Sequence, residues 1–363
     1  MRNVKTGIVV GTRPEIIKMS PIIKLFEKNN SSYFVVHTGQ HYTFNLDKIF
    51  FRDLQLPEPK YNLEVGSGSQ SKQTAKILSN IEDVFNTEKP DLILVQGDTN
   101  SVLAGALAGV KCGYKVGHVE AGLRSYDRTM PEEINRVVTD HISDYLYAPT
   151  EISRKILLNE GLDSNKIFVT GNTVVDSLIN YIEIARSKSN IIDKLKLSSS
   201  KYCLATFHRP SNVDYKKKLK NIFEALAELA NIIKCKIIVP VHPRTRKMIK
   251  KYGIKCSVNY LKLIDPVSYL DFLLLENNAE LILTDSGGVQ EEACVLKVPC
   301  VTLRKNTERP ETVDIGANSL VGTDKKLIIE HSLKHLRQKR DWKNPYGDGR
   351  AAEIIIKHIK SIG

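Results

Sequence analysis

An apolar run, two glycines and an amphipathic segment follow one another between Leu281 and Leu296. The apolar run ends at Thr284, and Val289, Ala293 and Leu296 then fall on one face of a helix. This order predicts a strand, a tight turn and a helix. A chain built from such units favours a fold in which helices cover a parallel sheet.

The predicted turn has the features of an anion site. The backbone N–H groups of Ser286, Gly287 and Gly288 would lie at the positive end of the helix, without side-chain bulk to keep a phosphate away. The next predicted strand, Pro299–Leu303, would deliver Arg309 to the same edge of the sheet, and a buried guanidinium needs an anionic partner. A plain turn, whose acidic residues merely suit the helix dipole, is the alternative.

Strands and helices alternate in two blocks along the 363 residues, a length that favours two domains. We predict an α/β protein with two Rossmann-like, doubly wound parallel-sheet domains that face a cleft. The predicted domains are residues 1–184 and 201–344, with a polar linker at 185–200. The segment 345–363 is predicted to contain a last helix.

Composition limits the partners and the compartment. The net charge of +12 fits nucleic acid, a membrane surface or a phosphorylated small molecule, but the lysines are scattered and aromatic residues make up only 7%. The six cysteines form no C-x-x-C pair, which fits reduced thiols and a cytoplasmic location. No apolar span approaches membrane length and no secretory signal is visible.

Charged side chains follow three of the predicted strands in the first block. Arg13 and Lys18 lie after the first strand, where they suit a phosphate, although Lys18 is equally well explained as a surface charge of its helix. Asp98 and Glu120 follow two further apolar strands, and a role in the site is favoured over helix capping. Glu132 lies in the first turn of a helix, where capping explains it equally well.

Several classes of enzyme lack their signatures here. No G-x-G-x-x-G opens a strand–helix unit, no Walker lysine follows a glycine loop, and no clustered His or Cys set suggests a metal. We therefore expect neither a nicotinamide cofactor nor a metal. Cationic groups for a diphosphate, with His208 at a strand edge among them, and several carboxylates indicate a nucleotide sugar.

A resemblance makes this expectation specific. The chain resembles the non-hydrolysing UDP-N-acetylglucosamine 2-epimerases over nearly its whole length, as an archaeal-type member. The motifs that carry the resemblance are Gly11-Thr-Arg-Pro-Glu-Ile-Ile-Lys18, Gly97-Asp-Thr99, His118-Val-Glu-Ala-Gly-Leu-Arg124, Pro131-Glu-Glu-Ile-Asn-Arg136, Thr170-Gly-Asn-Thr173, Thr284-Asp-Ser-Gly-Gly-Val-Gln-Glu-Glu-Ala293, Thr307-Glu-Arg-Pro-Glu311 and Asn344-Pro-Tyr-Gly-Asp348.

The resemblance implies a GT-B-like homodimer that interconverts UDP-N-acetylglucosamine and UDP-N-acetylmannosamine without a redox cofactor, in the synthesis of surface polysaccharide or other glycans. It implies that Asp98, Glu120 and Glu132 are the catalytic carboxylates. It also places Lys18 among the ligands of the substrate, and it implies that the last helix, in 345–363, crosses back to the first domain.

Two residues of the second block gain a role from the resemblance alone. It implies that Phe272 lines the uracil pocket and that Glu292 accepts hydrogen bonds from the ribose hydroxyls. A core position in the helix Tyr269–Leu275 explains Phe272 equally well.

Chemistry narrows the route. The sugar C2–H is not next to a carbonyl carbon, so inversion without a redox cofactor requires elimination of UDP and its re-addition through a 2-acetamidoglucal intermediate. The negative charge of departing UDP must be stabilised. This stabilisation would come from Arg13, His208, Arg309 and the helix start at residues 286–288. The sequence does not decide which carboxylate is the base and which is the acid.

Departures from the bacterial pattern leave some points open. The bacterial relatives have an arginine and a glutamate where this chain has Pro210 and Ser211, and a longer polar side chain near Thr43, beside the pair Gln40 and His41. These positions help to form an activating substrate site in the bacterial enzymes. The alternatives are an epimerase acting on UDP-2,3-diacetamido-2,3-dideoxyglucuronic acid, a GT-B glycosyltransferase, and a nucleic-acid-binding protein.

Overall fold

The structure, a computed structural model, describes residues 3–40, 50–255 and 259–363. The chain divides into two compact units. The first comprises residues 1–179 and 346–363, and the second comprises residues 180–345. Each unit is built on its own parallel sheet.

The sheet of the first unit has seven strands in the order β3-β2-β1-β4-β5-β6-β7. Its central strands are buried and rich in Val, Ile and Leu, as expected where helices cover both faces of a sheet. The strands are β1 (Thr6–Val10), β2 (Tyr33–His37), β3 (Tyr61–Asn62), β4 (Leu92–Gln96), β5 (Lys115–Val119), β6 (Tyr145–Ala148) and β7 (Ile167–Val169).

Helices connect these strands. The helix Asn100–Lys111 packs closely on the sheet because it has glycines where it faces the strands. An added Cβ would lie only 3.1 Å from Val9 Cγ1 at Gly105 and only 2.8 Å from Ile93 Cδ1 at Gly109. The helices that begin in the first unit are α1 (Arg13–Lys28), α2 (Gln70–Glu88), α3 (Asn100–Lys111), α4 (Pro131–Ile142), α5 (Glu151–Asn159) and α6 (Thr173–Lys188). A short 3₁₀ helix spans Ser164–Lys166.

The sheet of the second unit has six strands in the order β10-β9-β8-β11-β12-β13. The strands are β8 (Tyr202–Thr206), β9 (Lys236–Pro240), β10 (Leu261–Ile264), β11 (Leu281–Thr284), β12 (Cys300–Thr302) and β13 (Asn318–Leu320). The helices are α7 (Ile191–Lys194), α8 (Pro210–Val213), α9 (Lys216–Ile233), α10 (Pro243–Tyr252), α11 (Tyr269–Asn277), α12 (Gly287–Val295), α13 (Pro310–Asp314) and α14 (Lys325–Arg337), and α15 (Ala351–Ser361) follows in the first unit.

Both sheets have a reversal of strand order at the same topological position. In the first sheet the reversal separates β1 from β4, and in the second it separates β8 from β11. Loops that leave the carboxyl ends of such neighbouring strands splay apart, and ligands of open α/β sheets bind there. The residues that follow these four strands are therefore the first place to look for a site.

The predicted fold class, two Rossmann-like doubly wound parallel sheets, is confirmed. Two short strands, β3 and β13, were not predicted. Residues 185–200, interpreted above as a linker, contain the end of α6 and all of α7, and they belong to the second unit. Within the described ranges, no helix combines the length and the hydropathy that crossing a membrane requires.

The last helix is fastened to the first unit by a carboxylate. Asp176 of α6 accepts hydrogen bonds from the backbone N–H of Ala352 at 2.9 Å and of Ala351 at 3.3 Å. Burial raises the pKa of this carboxyl group, while the two backbone hydrogen bonds lower it. Asp176 therefore caps α15 from outside the helix.

We predict that Asp176→Ala frees the start of α15. Loss of the two hydrogen bonds should lower the local unfolding free energy by about 1–2 kcal/mol, and amides of residues 351–361 should exchange faster in hydrogen–deuterium exchange mass spectrometry. Asp348→Ala, which removes an exposed pair with Arg350, is the control and should leave this exchange unchanged. Equal acceleration in both variants would refute the assignment.

Candidate active site

The loop after β1 is built tightly around Gly11. A Cβ at this position would lie 2.0 Å from Ser101 Oγ and 2.4 Å from Thr38 Oγ1, so only glycine fits. Arg13 begins the helix that follows, and its guanidinium carbon lies 5.6 Å from the ring centre of Phe50. Arg13 is thus half-buried at the reversal point of the first sheet, as predicted from its place after the strand.

Glu15 holds this loop from inside. Its carboxylate accepts hydrogen bonds from Gly11 N at 2.6 Å and from Thr12 Oγ1 at 3.0 Å. Burial raises the pKa of Glu15 to about 7; hydrogen bonds from Thr99, Gly11 and Thr12 oppose the shift, and the charge of Asp98 adds to it. No role was predicted for Glu15, although Thr12 and Glu15 have the spacing of a capping box.

Glu120 lies at the end of β5 in a left-handed backbone conformation, with φ of 71°. Its Oε2 atom accepts hydrogen bonds from Lys18 Nζ, from Gln96 Nε2 at 3.1 Å and from Asn172 Nδ2 at 3.4 Å. The structure therefore brings Lys18 and Glu120 together as a buried ion pair. In this structure the ammonium group of Lys18 neutralises a carboxylate.

Asp98 lies after β4 and is paired with Arg136 of α4. Both Nη2, at 2.6 Å, and Nε, at 3.0 Å, donate to Oδ2 of Asp98. The other arm of the guanidinium, Nη1, donates to Glu133 Oε2 at 2.5 Å, and Asn135 Nδ2 donates to the backbone carbonyl of Asp98 at 2.9 Å. No role was predicted for Arg136 or Glu133, although both lie in the motif Pro131-Glu-Glu-Ile-Asn-Arg136.

Asp98 and Glu132 line one cavity of about 240 Å³. Polar side chains form most of its remaining wall, with Gln40, Gln73 and Asn100 among them. Glu120 is not one of its lining residues. Two of the three predicted carboxylates therefore share a cavity, and the third, Glu120, forms an ion pair with Lys18. His41 and Thr43 lie outside the described residues.

In the second unit, Asp285 ties together the loops after β8 and β11. This fully buried carboxylate accepts hydrogen bonds from the backbone N–H groups of His208 and Arg209, each at 3.0 Å, and from Asn212 Nδ2 at 3.0 Å. Arg209 Nε donates to the backbone carbonyl of Asp285 at 2.9 Å. The backbone of His208 is therefore fixed at the reversal point of the second sheet.

The imidazole of His208 remains partly exposed and lies next to a second histidine ring at a tilt of 32°. Its ring centre lies 5.1 Å from that of His242. Burial is the main cause that lowers the pKa of His242 to about 4, and the electrostatic influence of His208 and Arg244 lowers it further. His242 Nδ1 accepts a hydrogen bond from Arg244 N at 3.1 Å, so His242 caps α10 as a neutral ring.

The glycines at the start of α12 and Arg309 lie together, as predicted. A Cβ at Gly287 would approach Arg309 Cζ to 3.2 Å, whereas one at Gly288 would meet no heavy atom within 4 Å. Ser286 is the N-cap residue and makes no capping hydrogen bond with its side chain. Arg309 is buried, and its Nε donates to Glu291 Oε1 at 3.0 Å. This helix start is open enough to receive an anion.

The proposed uracil and ribose residues lie on adjacent helices. Phe272 of α11 is only partly buried, in contrast to the buried residues at 273–275, and Glu292 of α12 is almost fully buried. One turn after Phe272, Glu276 is completely buried, and neither of its carboxyl oxygens has a hydrogen-bond partner. Burial, with the negative charge of Glu292, holds the pKa of Glu276 well above its usual range.

Within residues 3–40, 50–255 and 259–363, no group of three or more His, Cys, Asp or Glu side chains is arranged to hold a metal ion. The functional groups at the candidate site are carboxylates, cationic side chains and backbone N–H donors.

Comparison with known proteins assigns the chain to a family. A model of the family described as UDP-N-acetylglucosamine 2-epimerase matches residues 24–360. The chain belongs to this family. The UDP-N-acetylglucosamine 2-epimerase of Methanocaldococcus jannaschii is 56% identical over 358 residues, which cover 97% of this chain and 98% of the relative.

One solved structure and one further relative bear on the identity of the substrate. The crystal structure of the M. jannaschii UDP-GlcNAc 2-epimerase in complex with UDP-GlcNAc and UDP matches with a TM-score of 0.93 and 55% identity, over 99% of this chain and 100% of that chain. The UDP-2,3-diacetamido-2,3-dideoxy-D-glucuronate 2-epimerase of Pseudomonas aeruginosa is 41% identical, with 98% of this chain and 99% of the relative covered.

The raised pKa of Glu15 predicts a specific pH dependence of stability. Between its usual value of 4.5 and about 7, the folded chain binds more protons at this group than the unfolded chain. Folding stability is therefore lost as the pH rises through this window, by up to about 3 kcal/mol from Glu15 alone. Glu15→Gln removes this titration.

We expect the stability of the wild-type protein relative to Glu15→Gln to fall between about pH 5 and about pH 8. Thermal unfolding of both proteins across this range measures the difference. Glu82→Gln, an exposed change on α2, is the control and should run parallel to the wild type. Parallel curves for Glu15→Gln would contradict the prediction.

Proposed function

We propose that the chain catalyses the reversible C2 epimerisation of UDP-N-acetylglucosamine to UDP-N-acetylmannosamine. The observation that carries the proposal is the 55% identical M. jannaschii structure with UDP-GlcNAc and UDP bound. In this chain, Asp98 and a glycine-lined helix start follow strands at the reversal points of the two sheets, where ligands of α/β proteins bind, and Glu120 follows the neighbouring strand β5. The carboxylates suit proton transfer, and the helix start suits diphosphate binding.

The proposed reaction is elimination followed by re-addition. A carboxylate takes the C2 proton, the C1–O bond breaks, a C1–C2 double bond forms, and UDP leaves with the bonding electron pair. UDP then returns to C1 of the bound 2-acetamidoglucal, while a second carboxylic acid protonates C2 from the opposite face. Because UDP is added back, the reaction is non-hydrolysing and releases no free sugar.

We assign the proton transfers to Asp98, Glu120 and Glu132. Asp98 and Glu132 share a cavity, so both can face one sugar ring. Glu120 is held by Lys18 and by two side-chain amides, which fix its orientation. The proposal leaves open which of these groups takes the proton and which gives it.

The leaving diphosphate is proposed to be stabilised by cations and backbone donors. Arg13, His208 and Arg309 would supply positive or hydrogen-bonding groups, and the start of α12 at Gly287 and Gly288 would supply backbone N–H groups. Donors fixed in place before the reaction stabilise developing charge without reorganisation.

Residues next to this helix start are proposed to bind the nucleoside. Partial exposure of Phe272 leaves ring surface for uracil, and Glu292 is proposed to accept hydrogen bonds from the ribose. Lys18 is proposed as a further ligand of the substrate. We also propose a homodimer, as the resemblance implies, and light scattering tests the oligomeric state. A cytoplasmic location is proposed because the six cysteines form no C-x-x-C pair and fit reduced thiols.

The decisive experiment is incubation with UDP-GlcNAc in D₂O, followed by proton NMR. We expect UDP-N-acetylmannosamine to appear and deuterium to enter at C2, because the proton that leaves exchanges with solvent. Turnover without deuterium at C2 would exclude the elimination route. Release of free N-acetylmannosamine and UDP would instead indicate a hydrolysing enzyme. Asp98→Asn should abolish turnover, and Asp83→Asn, an exposed change on α2, should not.

The same assay separates the runner-up substrate. The 41% identical P. aeruginosa relative is named for UDP-2,3-diacetamido-2,3-dideoxy-D-glucuronate. The higher identity to the M. jannaschii enzyme favours UDP-GlcNAc. A larger kcat/KM for the diacetamido sugar would reverse this preference.

A substitution at Gly288 tests the proposed diphosphate site. A Cβ at this position meets no neighbouring atom, so Gly288→Ala should leave the melting temperature unchanged. The methyl group would instead occupy space at the helix start that the diphosphate needs, and we expect UDP to bind about tenfold more weakly. Isothermal titration calorimetry measures this change. Unaltered affinity for UDP would show that the diphosphate does not bind at this helix start.

A further inference from the structure

The two loops of the first unit that carry the candidate carboxylates Asp98 and Glu120 contain residues in the left-handed backbone conformation. Gly97, directly before Asp98, has φ of 87°. Glu120 itself has φ of 71°, and Gly122 follows with φ of 83°. A left-handed conformation costs a residue such as glutamate about 1–2 kcal/mol, so the surrounding contacts must hold this loop in place.

His118 contacts the first of these loops. This fully buried residue of β5 has Nε2 at 2.8 Å from the backbone carbonyl oxygen of Gly97 and Nδ1 at 2.6 Å from Asp140 Oδ1. A carbonyl oxygen only accepts hydrogen bonds, and so does an ionised carboxylate. Both ring nitrogens of His118 therefore donate, and the partners define the ring as an imidazolium.

Asp140 contacts the second loop. Its Oδ2 accepts hydrogen bonds from Gly122 N at 3.1 Å and from Arg124 Nη1 at 2.7 Å. Burial works to raise the pKa of Asp140, but the charges and hydrogen bonds of His118 and Arg124 outweigh it and lower the pKa. Asp140 is thus a buried carboxylate that contacts Gly122 and Arg124 in the loop after β5 and His118 at the end of β5.

We infer that His118 and Asp140 form a clamp that sets the position of Asp98 relative to Glu120. One continuous chain of hydrogen bonds runs from Gly97 through His118 and Asp140 to Gly122. Neither clamp residue is proposed to touch the substrate, so both are positioning residues. The inference rests on the proposed epimerisation, in which carboxylates on two faces of the sugar must act in turn.

The clamp predicts a specific catalytic defect. If Asp98 and Glu120 lose their relative position, a proton can still leave C2 and return from the same face, but delivery to the opposite face fails. Misplacement of about 1 Å costs about 100-fold in a positioned reaction. Substrate binding through the diphosphate should be unaffected, so KM should change little while kcat falls.

The test compares inversion with exchange in D₂O for His118→Gln and Asp140→Asn. We expect inversion to fall about 10-fold to 100-fold and deuterium incorporation into recovered UDP-GlcNAc to fall much less, so the ratio of exchange to inversion rises. His358→Gln is the matched control, because His358 is another imidazole of the first unit, hydrogen-bonded to Tyr147. A proportional fall of exchange and inversion would overturn the clamp.

A second measurement does not depend on activity. Nitrogen NMR of the histidine side chains in the wild-type protein should show both nitrogens of His118 protonated, and Asp140→Asn should change this state. An unprotonated nitrogen in the wild-type ring would overturn the clamp even if the variants fail to fold. If the wild-type protein neither inverts nor exchanges UDP-GlcNAc while the doubly protonated ring is present, the proposed function fails and the clamp geometry stands.

Discussion

A carboxylate removed from water needs cations or N–H donors around it, and this requirement shapes the carboxyl edge of the first sheet. Asp98 is paired with Arg136, and Glu120 is paired with Lys18. Asp140 is paired with Arg124, a third ion pair on the same side of the sheet. Each pair joins residues far apart in the chain, so the carboxylates are placed only when the sheet and its helices have assembled.

The second unit also contains buried carboxylates, of which Asp285 and Glu276 are not stabilised mainly by cationic side chains. Asp285 is satisfied mainly by backbone N–H groups, which fix the turn after β8. Glu276 has no such donors, and its raised pKa is the alternative that burial imposes on an unpaired acid. At the start of α12, a Cβ at Gly287 would approach Arg309, whereas one at Gly288 would meet no heavy atom within 4 Å, which leaves room for the diphosphate proposed above.

The sequence predicted the sheets well because apolar runs of four to six residues were bounded by glycine or charged residues. It missed β3, a pair of residues, because so short a strand has no periodicity. Arg309 was placed correctly because strand order alone brings it to the start of α12. The pairing of Lys18 with Glu120 was not predictable, since it depends on the tertiary packing of residues 102 apart.

The two sheets reverse their strand order in the same way, yet the loops at their reversal points carry different groups. Asp98 follows β4 of the first sheet and borders a cavity, whereas Gly287 and Gly288 follow β11 of the second sheet and begin a helix. The packing of the strands therefore does not depend on the functional groups that the loops carry. Evolution can alter the sugar that such a protein accepts by exchanging a few loop residues, while the scaffold beneath them is inherited intact.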